Sequence, residues 1–316
     1  MSKFKNILIL MVCWGVISSC AKSNVLGEFS QHNSDEALLI DAQSYIDNSQ
    51  WDQAIDIIEN QLSAAFQARR DVINILAGAY AGKCGVNFFN LMNGIKNASA
   101  SASQLFPFFL GSFSGVTADP ASCEKSITLL QSIGGPAVRT SDENLFLAIL
   151  GVARIATNLS AEIDVDHNGT MDTSSDLCHD WTSGSAAHPW LATDPAYALY
   201  PPPAAKPSHY LTDADVQKIG AGMGLIIENL AALGAVIGTG GNVVGAINSI
   251  ATACTSLGIP CTATTPAAIS ATANYGFRTL LNSSSVGFGS CVPGSAVPAQ
   301  LCCPTLKPPP GAGPWP

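Results

Sequence analysis

The sequence predicts an all-α protein, in which helical hairpins are continued by a disulfide-braced helical domain. Three observations point that way. Apolar residues recur at helical spacing through much of 37–160 and again after 211. Ser or Thr followed by acidic residues opens three of these stretches, as helix starts require. An even set of eight cysteines remains beyond the first twenty residues.

Composition narrows the function classes. The 316 residues carry 14 Lys+Arg against 23 Asp+Glu, a net charge of −9, and 47% are hydrophobic. That apolar fraction excludes a disordered chain. The acidic balance, with no cluster of Lys and Arg, argues against nucleic acid as a partner. Only 12% of residues are charged, so much of the surface is expected to be small and uncharged, or covered.

Residues 1–19 read as a leader. Lys3 and Lys5 precede an apolar run from Ile7 to Val16, shorter than the ~18 residues a membrane span needs, and Ser18-Ser19-Cys20 follows. Ile17-Ser18-Ser19-Cys20 resembles a bacterial lipobox. The resemblance implies that Cys20 becomes a lipid-bearing N-terminus holding the protein on a membrane. With Ala21 next, it implies an outer-membrane anchor facing the periplasm. An exported chain forms disulfides, so Cys84, Cys123, Cys178, Cys254, Cys261, Cys291, Cys302 and Cys303 are disulfide candidates. Cys254–Cys261, and Cys291 with Cys302 or Cys303, are the local pairings. Residues 20–36 form a polar tether.

Helical periodicity begins at Ser34-Asp35-Glu36 and runs through Leu38, Leu39, Ala42, Tyr45 and Ile46. A second helix starts at Trp51 and continues through Ala54, Ile55, Ile58 and Leu62. A third covers Val72 to Tyr80, and a fourth runs through Val86, Phe88, Phe89, Leu91 and Met92. Ala42-x-x-Tyr45, Trp51-x-x-Ala54-x-x-x-Ile58 and Leu76-Ala77-x-x-Tyr80 resemble tetratricopeptide repeats. Ala42 and Ala77 stand 35 residues apart, as do Tyr45 and Tyr80, close to the period of ~34. The resemblance implies that Tyr45, Trp51 and Tyr80 are core wedges. The second unit lacks a small residue on its second helix, the turn lacks proline, and two units are fewer than the ~3 a solenoid needs. Leu76 to Gly85 with Phe88-Phe89-Asn90-Leu91 is also similar to the T-component lipoproteins of TRAP transporters. That likeness implies a periplasmic helical protein acting beside a solute-binding protein.

Phe106, Phe108 and Phe109 flank Pro107 and are expected in the core. A helix over 121–133 follows, and a clearer one after Thr140-Ser141, where Asp142 and Glu143 suit the positive helix end. The region 161–210 is a polar excursion dense in proline. From Thr212-Asp213-Ala214-Asp215 helices resume through a charge-poor region, 211–290, in which residues 229–277 hold no Asp, Glu, Lys, Arg or His. Gly220-x-x-x-Gly224, Gly234-x-x-x-Gly238 and Gly241-x-x-x-Gly245 let helix backbones touch. The polar residues scattered there predict a hairpin buried within the protein. A Pro/Gly-rich tail covers 291–316.

Asp164-Val165-Asp166-His167-Asn168-Gly169-Thr170-Met171-Asp172 carries the chemistry. A hard cation takes six to eight oxygens. Asp164, Asp166 and Asn168 alternate around such a site, Gly169 permits the turn, Thr170 offers a carbonyl and Asp172 reaches through water. The stretch resembles an EF-hand calcium loop, with Ser175 at the place of the bidentate acid and Asp176 one residue beyond as its substitute. Calcium is therefore the expected cofactor, ordering 161–210 and placing Cys178. No catalytic constellation stands out. Ser122-x-x-Lys125 has no companion motif, and His167, His179, His188 and His209 read as surface or hydrogen-bonded side chains. The sequence thus predicts a non-enzymatic scaffold or binding lipoprotein, accessory to solute uptake. The alternative is an envelope assembly factor. The partner is a protein or a small solute.

Overall fold

The computed structural model describes residues 33–87, 91, 105–172, 175–182, 206–237, 242–257, 259–283 and 286–288. The leader, Cys20, Cys291, Cys302, Cys303, His188, the tail and most of the fourth expected helix lie outside these residues.

The N-terminal hairpins come first. Helix α1 (Asp35–Asp47) is capped by the Ser34 hydroxyl, which accepts from the Ala37 amide. Helix α2 (Trp51–Asp56) widens into a π-helical turn over Ile57–Gln61, so the helix expected through Leu62 is not regular to its end. A short α3 (Ala64–Gln67) leads to α4 (Arg70–Lys83). Ala42, Ala54, Ile58, Val72 and Ala79 form a separate small core with no solvent exposure. Trp51 covers Gly82, where an added β-carbon would stand 2.6 Å from the indole ring. Tyr80 is half-buried, its hydroxyl donating to Glu59. Tyr45 departs from expectation: it lies at the surface, 36% exposed, on the first of the described helices.

The larger body surrounds one long helix. Helix α5 (Leu105–Gly111) carries the aromatic run inward, burying Phe106 and Phe109 as predicted. Helix α6 (Pro120–Ser132) is capped by Asp119. Helix α7 (Ser141–Ile163) starts in a capping box between Thr140 and Glu143, which satisfies two otherwise orphan amides. It runs through Ile163, two residues beyond where the excursion was expected to begin. By length and composition α7 could cross a membrane, yet 83% of its apolar window is buried within this protein. A third cluster, including Ala77, Ile127, Leu147 and Leu225, joins the hairpins to this body. Ser126 adds a buried hydrogen bond to the Ala77 carbonyl at 2.7 Å.

After α7 the described chain is irregular. Strands β1 (Ser175–Asp176) and β2 (His209–Tyr210) pair in parallel. Helix α8 (Asp213–Glu228) has its own Thr212–Asp215 capping box and crosses α7. Gly151 and Gly222 form that crossing: a β-carbon on either would stand within 2.8 Å of the other's carbonyl oxygen. Gly224 sits as tightly against the Ala263 backbone, and Gly220 against Phe277 and Ile269. The chain then bends by 64° into α9 (Leu230–Ile237), followed by α10 (Asn242–Leu257) and α11 (Ala271–Leu281). Gly220, Gly222 and Gly224 therefore meet three different neighbours of α8, whereas Gly245 has nothing within 4 Å of an added β-carbon and Gly238 and Gly241 lie outside the described residues.

Two disulfides brace the body. Cys254–Cys261 matches the local pairing read from sequence, and Cys84–Cys123 joins the end of α4 to α6. Cys178 is also disulfide-bonded.

Candidate functional site

The structure brings Asp164, Asp166, Asn168, Thr170 and Asp172 into one loop closing the end of α7. Asp164 is fully buried; its two carboxylate oxygens accept from the Asn168 and Gly169 amides at 2.9 and 3.0 Å. Burial pushes its carboxyl up, an effect those amides oppose. Asp166 accepts from the Asn168 amide, and the Asn168 side-chain oxygen accepts from the Thr170 amide. Asp172 closes the turn by accepting from the Val165 amide at 3.1 Å. His167 and Gly169 take φ of +55° and +83°. At Gly169 a β-carbon would also meet Ser114 at 2.8 Å. The loop rests on the end of α5 through Gly115 N to His167 O at 2.8 Å and Ser114 Oγ to Asn168 O at 3.0 Å.

Asp176 is placed otherwise. It is fully buried, and its carboxylate accepts from the Cys178 and His179 amides, from His179 Nδ1 at 2.9 Å and from Trp181 Nε1 at 2.8 Å. Burial would raise this carboxyl, but those donors outweigh it and hold it below its ordinary value. Asp176 thus anchors the β1 crossing. Among the described residues, no group of three or more His, Cys, Asp or Glu side chains converges on a metal position. The Ser122 hydroxyl is spent on Asp119 at 2.7 Å while Lys125 faces solvent.

A second feature escaped the sequence reading. An open cleft of about 610 Å3 lies between the starts of α4 and α7, lined among others by Arg70, Asp71, Asn74, Asp142, Glu143 and Phe146. Glu143 is nearly buried and receives Arg70 Nε at 2.8 Å, Arg70 Nη2, Asn74 Nδ2 at 2.9 Å and the Thr140 amide at 2.7 Å. Arg70 and these donors hold its carboxyl at about 2. Asp142 and Glu143 were legible only as helix-start residues; Arg70 arrives from 73 positions away, a pairing that no local pattern encodes.

The sign of the pH effect follows. A carboxyl depressed from 4.5 in the free chain to about 2 in the fold contributes stability that is complete above 4.5. That contribution is lost as pH falls from there toward 2. Urea midpoints are expected to fall between about pH 5 and about pH 3, and to fall less for Glu143→Gln. Equal slopes for the two proteins would remove Glu143 from that role.

Comparison with known protein families, curated proteins and solved structures finds no match to this chain.

Proposed function

We propose that this chain is a non-enzymatic, lipid-anchored scaffold of a bacterial envelope, held on the outer membrane through Cys20 and facing the periplasm. It binds a protein partner through its tetratricopeptide-like hairpins. The observation carrying this reading is the pair of cores. The hairpins α1–α4 enclose their own small core around Ala42, Ala54 and Ile58, join the body through α4 at Ala77 and Ala81, and leave the outer faces of α1 and α2 exposed. The disulfide-braced body is filled where its glycines meet other backbones. A repeat surface beside a rigid body suits docking to a protein. That is compatible with service beside a solute-binding protein in uptake, as the T-component likeness implies, and with an assembly role.

Calcium is proposed as a structural ion in the 164–172 loop. The donors there are all oxygens, the chemistry a hard cation prefers: the side chains of Asp164, Asp166, Asn168 and Asp172, and the Thr170 carbonyl. Asp176, saturated by its own donors, is not among them. A bound ion would supply positive charge to gather these oxygens, and the loop would brace the chain leading to Cys178.

Native mass spectrometry of the protein extracted gently from its own membranes tests both proposals. A co-purifying protein, a lipid on Cys20 and ~40 Da increments for calcium are expected. A bare chain without lipid or partner would overturn the scaffold reading. A small-molecule adduct on a lone chain would move it to solute carriage.

A further inference from the structure

Cys178 is disulfide-bonded to a cysteine outside the described residues. The chain has ten cysteines, and Cys84–Cys123 and Cys254–Cys261 take up four of them. The partner is therefore one of Cys13, Cys20, Cys291, Cys302 and Cys303. The described side of the bond is firmly held. Cys178 is 4% exposed. Its amide donates to Asp176 at 2.7 Å, and Arg278 holds the Leu177 carbonyl just before it. Its sulfur accepts from Asn282 Nδ2 at 3.3 Å.

Asn282 is the C-cap of α11, and the chain beyond it folds back on that helix end. Gly287 N donates to Ser283 O at 2.9 Å, and Phe288 N donates to Leu281 O at 2.7 Å. A β-carbon on Gly287 would stand 2.1 Å from the Leu281 carbonyl oxygen, so the return is as close as backbone allows. Phe288 is thus bonded to the residue next to Asn282, whose amide touches the Cys178 sulfur. Cys291 follows Phe288 by three residues, a reach of about 10 Å. Cys302 and Cys303 follow it by 14 and 15 residues, and longer tethers close less readily.

We propose that Cys178 is bonded to Cys291, in place of the local Cys291 bridge expected from the sequence. This pairing rests on the lipoprotein reading in one respect, that Cys13 leaves with the leader and Cys20 carries lipid. Two thiols become one disulfide, and two protons and two electrons pass to a disulfide oxidant of the kind exported proteins meet. The bond closes residues 178–291 into one covalent loop containing α8 to α11, and with them the whole stretch 229–277 that holds no charged residue. The Pro/Gly-rich tail is then tied to the body at its first residue.

The test digests the full chain, purified unreduced from its own membranes with free thiols blocked. Chymotrypsin cuts after Phe288 and Leu301, which separates Cys291 from Cys302 and Cys303. Mass spectrometry is expected to find a Cys178 peptide joined to a Cys291 peptide, the two parting on reduction. A Cys178 peptide joined to one bearing Cys302 or Cys303, or blocked as a free thiol, would overturn the pairing. A bond to Cys13 or Cys20 would overturn it together with the lipid anchor. An unlipidated Cys20 beside an intact Cys178–Cys291 bond would remove the anchor and keep the pairing. In a chain carrying both Cys302→Ser and Cys303→Ser, Cys178 should still resist alkylation when unfolded without reductant; its alkylation there would sink the pairing as well.

Discussion

Replacing Arg278 with methionine is expected to cost about 3–5 kcal/mol, because two buried carbonyls would each lose a donor at about 1–3 kcal/mol. The side chain is only 1% exposed. It donates to the Leu177 carbonyl at 2.9 Å, the Leu211 carbonyl at 3.0 Å and the Asp213 carboxylate at 2.8 Å. Those acceptors belong to the chain after β1, the chain after β2 and the first turn of α8. One guanidinium therefore gathers three segments that share no hydrogen-bonded sheet of useful size. Methionine fills comparable space but leaves two buried carbonyls without these donors. The melting temperature should fall by roughly 10 °C at 2–4 °C per kcal/mol. Loss of amide protection should be greatest over 175–182 and 209–213. A variant melting with the wild type would show that the three segments hold one another without Arg278.

The second large effect is expected at Gly224. An alanine β-carbon there would stand 1.9 Å from the Ala263 carbonyl oxygen. Backbone is in the way, so no rotamer change relieves the contact. The cost should reach about 3 kcal/mol, the upper end for overpacking. Gly78, which has nothing within 4 Å of an added β-carbon, is the matched control. Gly78→Ala should be neutral or slightly stabilising, since it removes glycine from a helix interior. Urea unfolding of the two variants decides the point. Equal midpoints would mean that the 263 loop moves aside freely.

Helix content was legible because it depends on local signals. Ser34, Thr140 and Thr212 cap the helices they were read to open, and the aromatic run around Phe106 packs inward as its composition suggests. Cys254–Cys261 was readable because seven residues separate the two cysteines; Cys84–Cys123 was not, because only the packing of α4 on α6 brings them together. The same limit explains Tyr45. A repeat pattern assigns it a wedge, but a wedge needs a neighbouring helix on its far side, and among the described residues α1 is the first helix. The cleft was invisible for a related reason: Arg70, Asn74 and Glu143 mean little until two helices distant in sequence meet. The 164–172 loop stands between these cases. Its turn chemistry was local and its hydrogen bonds close the turn, yet no three acidic side chains of it converge on a metal position, and Asp176 went elsewhere because β1 turns it toward His179 and Trp181.

Helix α7 has a consequence for how the protein reaches its destination. On the exported reading, the chain is threaded through a translocation channel before it folds, and that channel diverts long apolar segments sideways into lipid. Ser141–Ile163 has the length and hydropathy to be diverted. Arg154 stands inside it, at a cost of about 2.5–3.5 kcal/mol to membrane insertion, with Thr157, Asn158 and Ser160 close behind. After folding the same guanidinium is buried against Glu124 and the Thr264 carbonyl, so an apolar residue in its place alone would leave both acceptors without that donor. On the exported reading it therefore acts twice, first in transit and then in the fold. On the same exported reading, an apolar replacement would remove the barrier that keeps the nascent helix out of the bilayer.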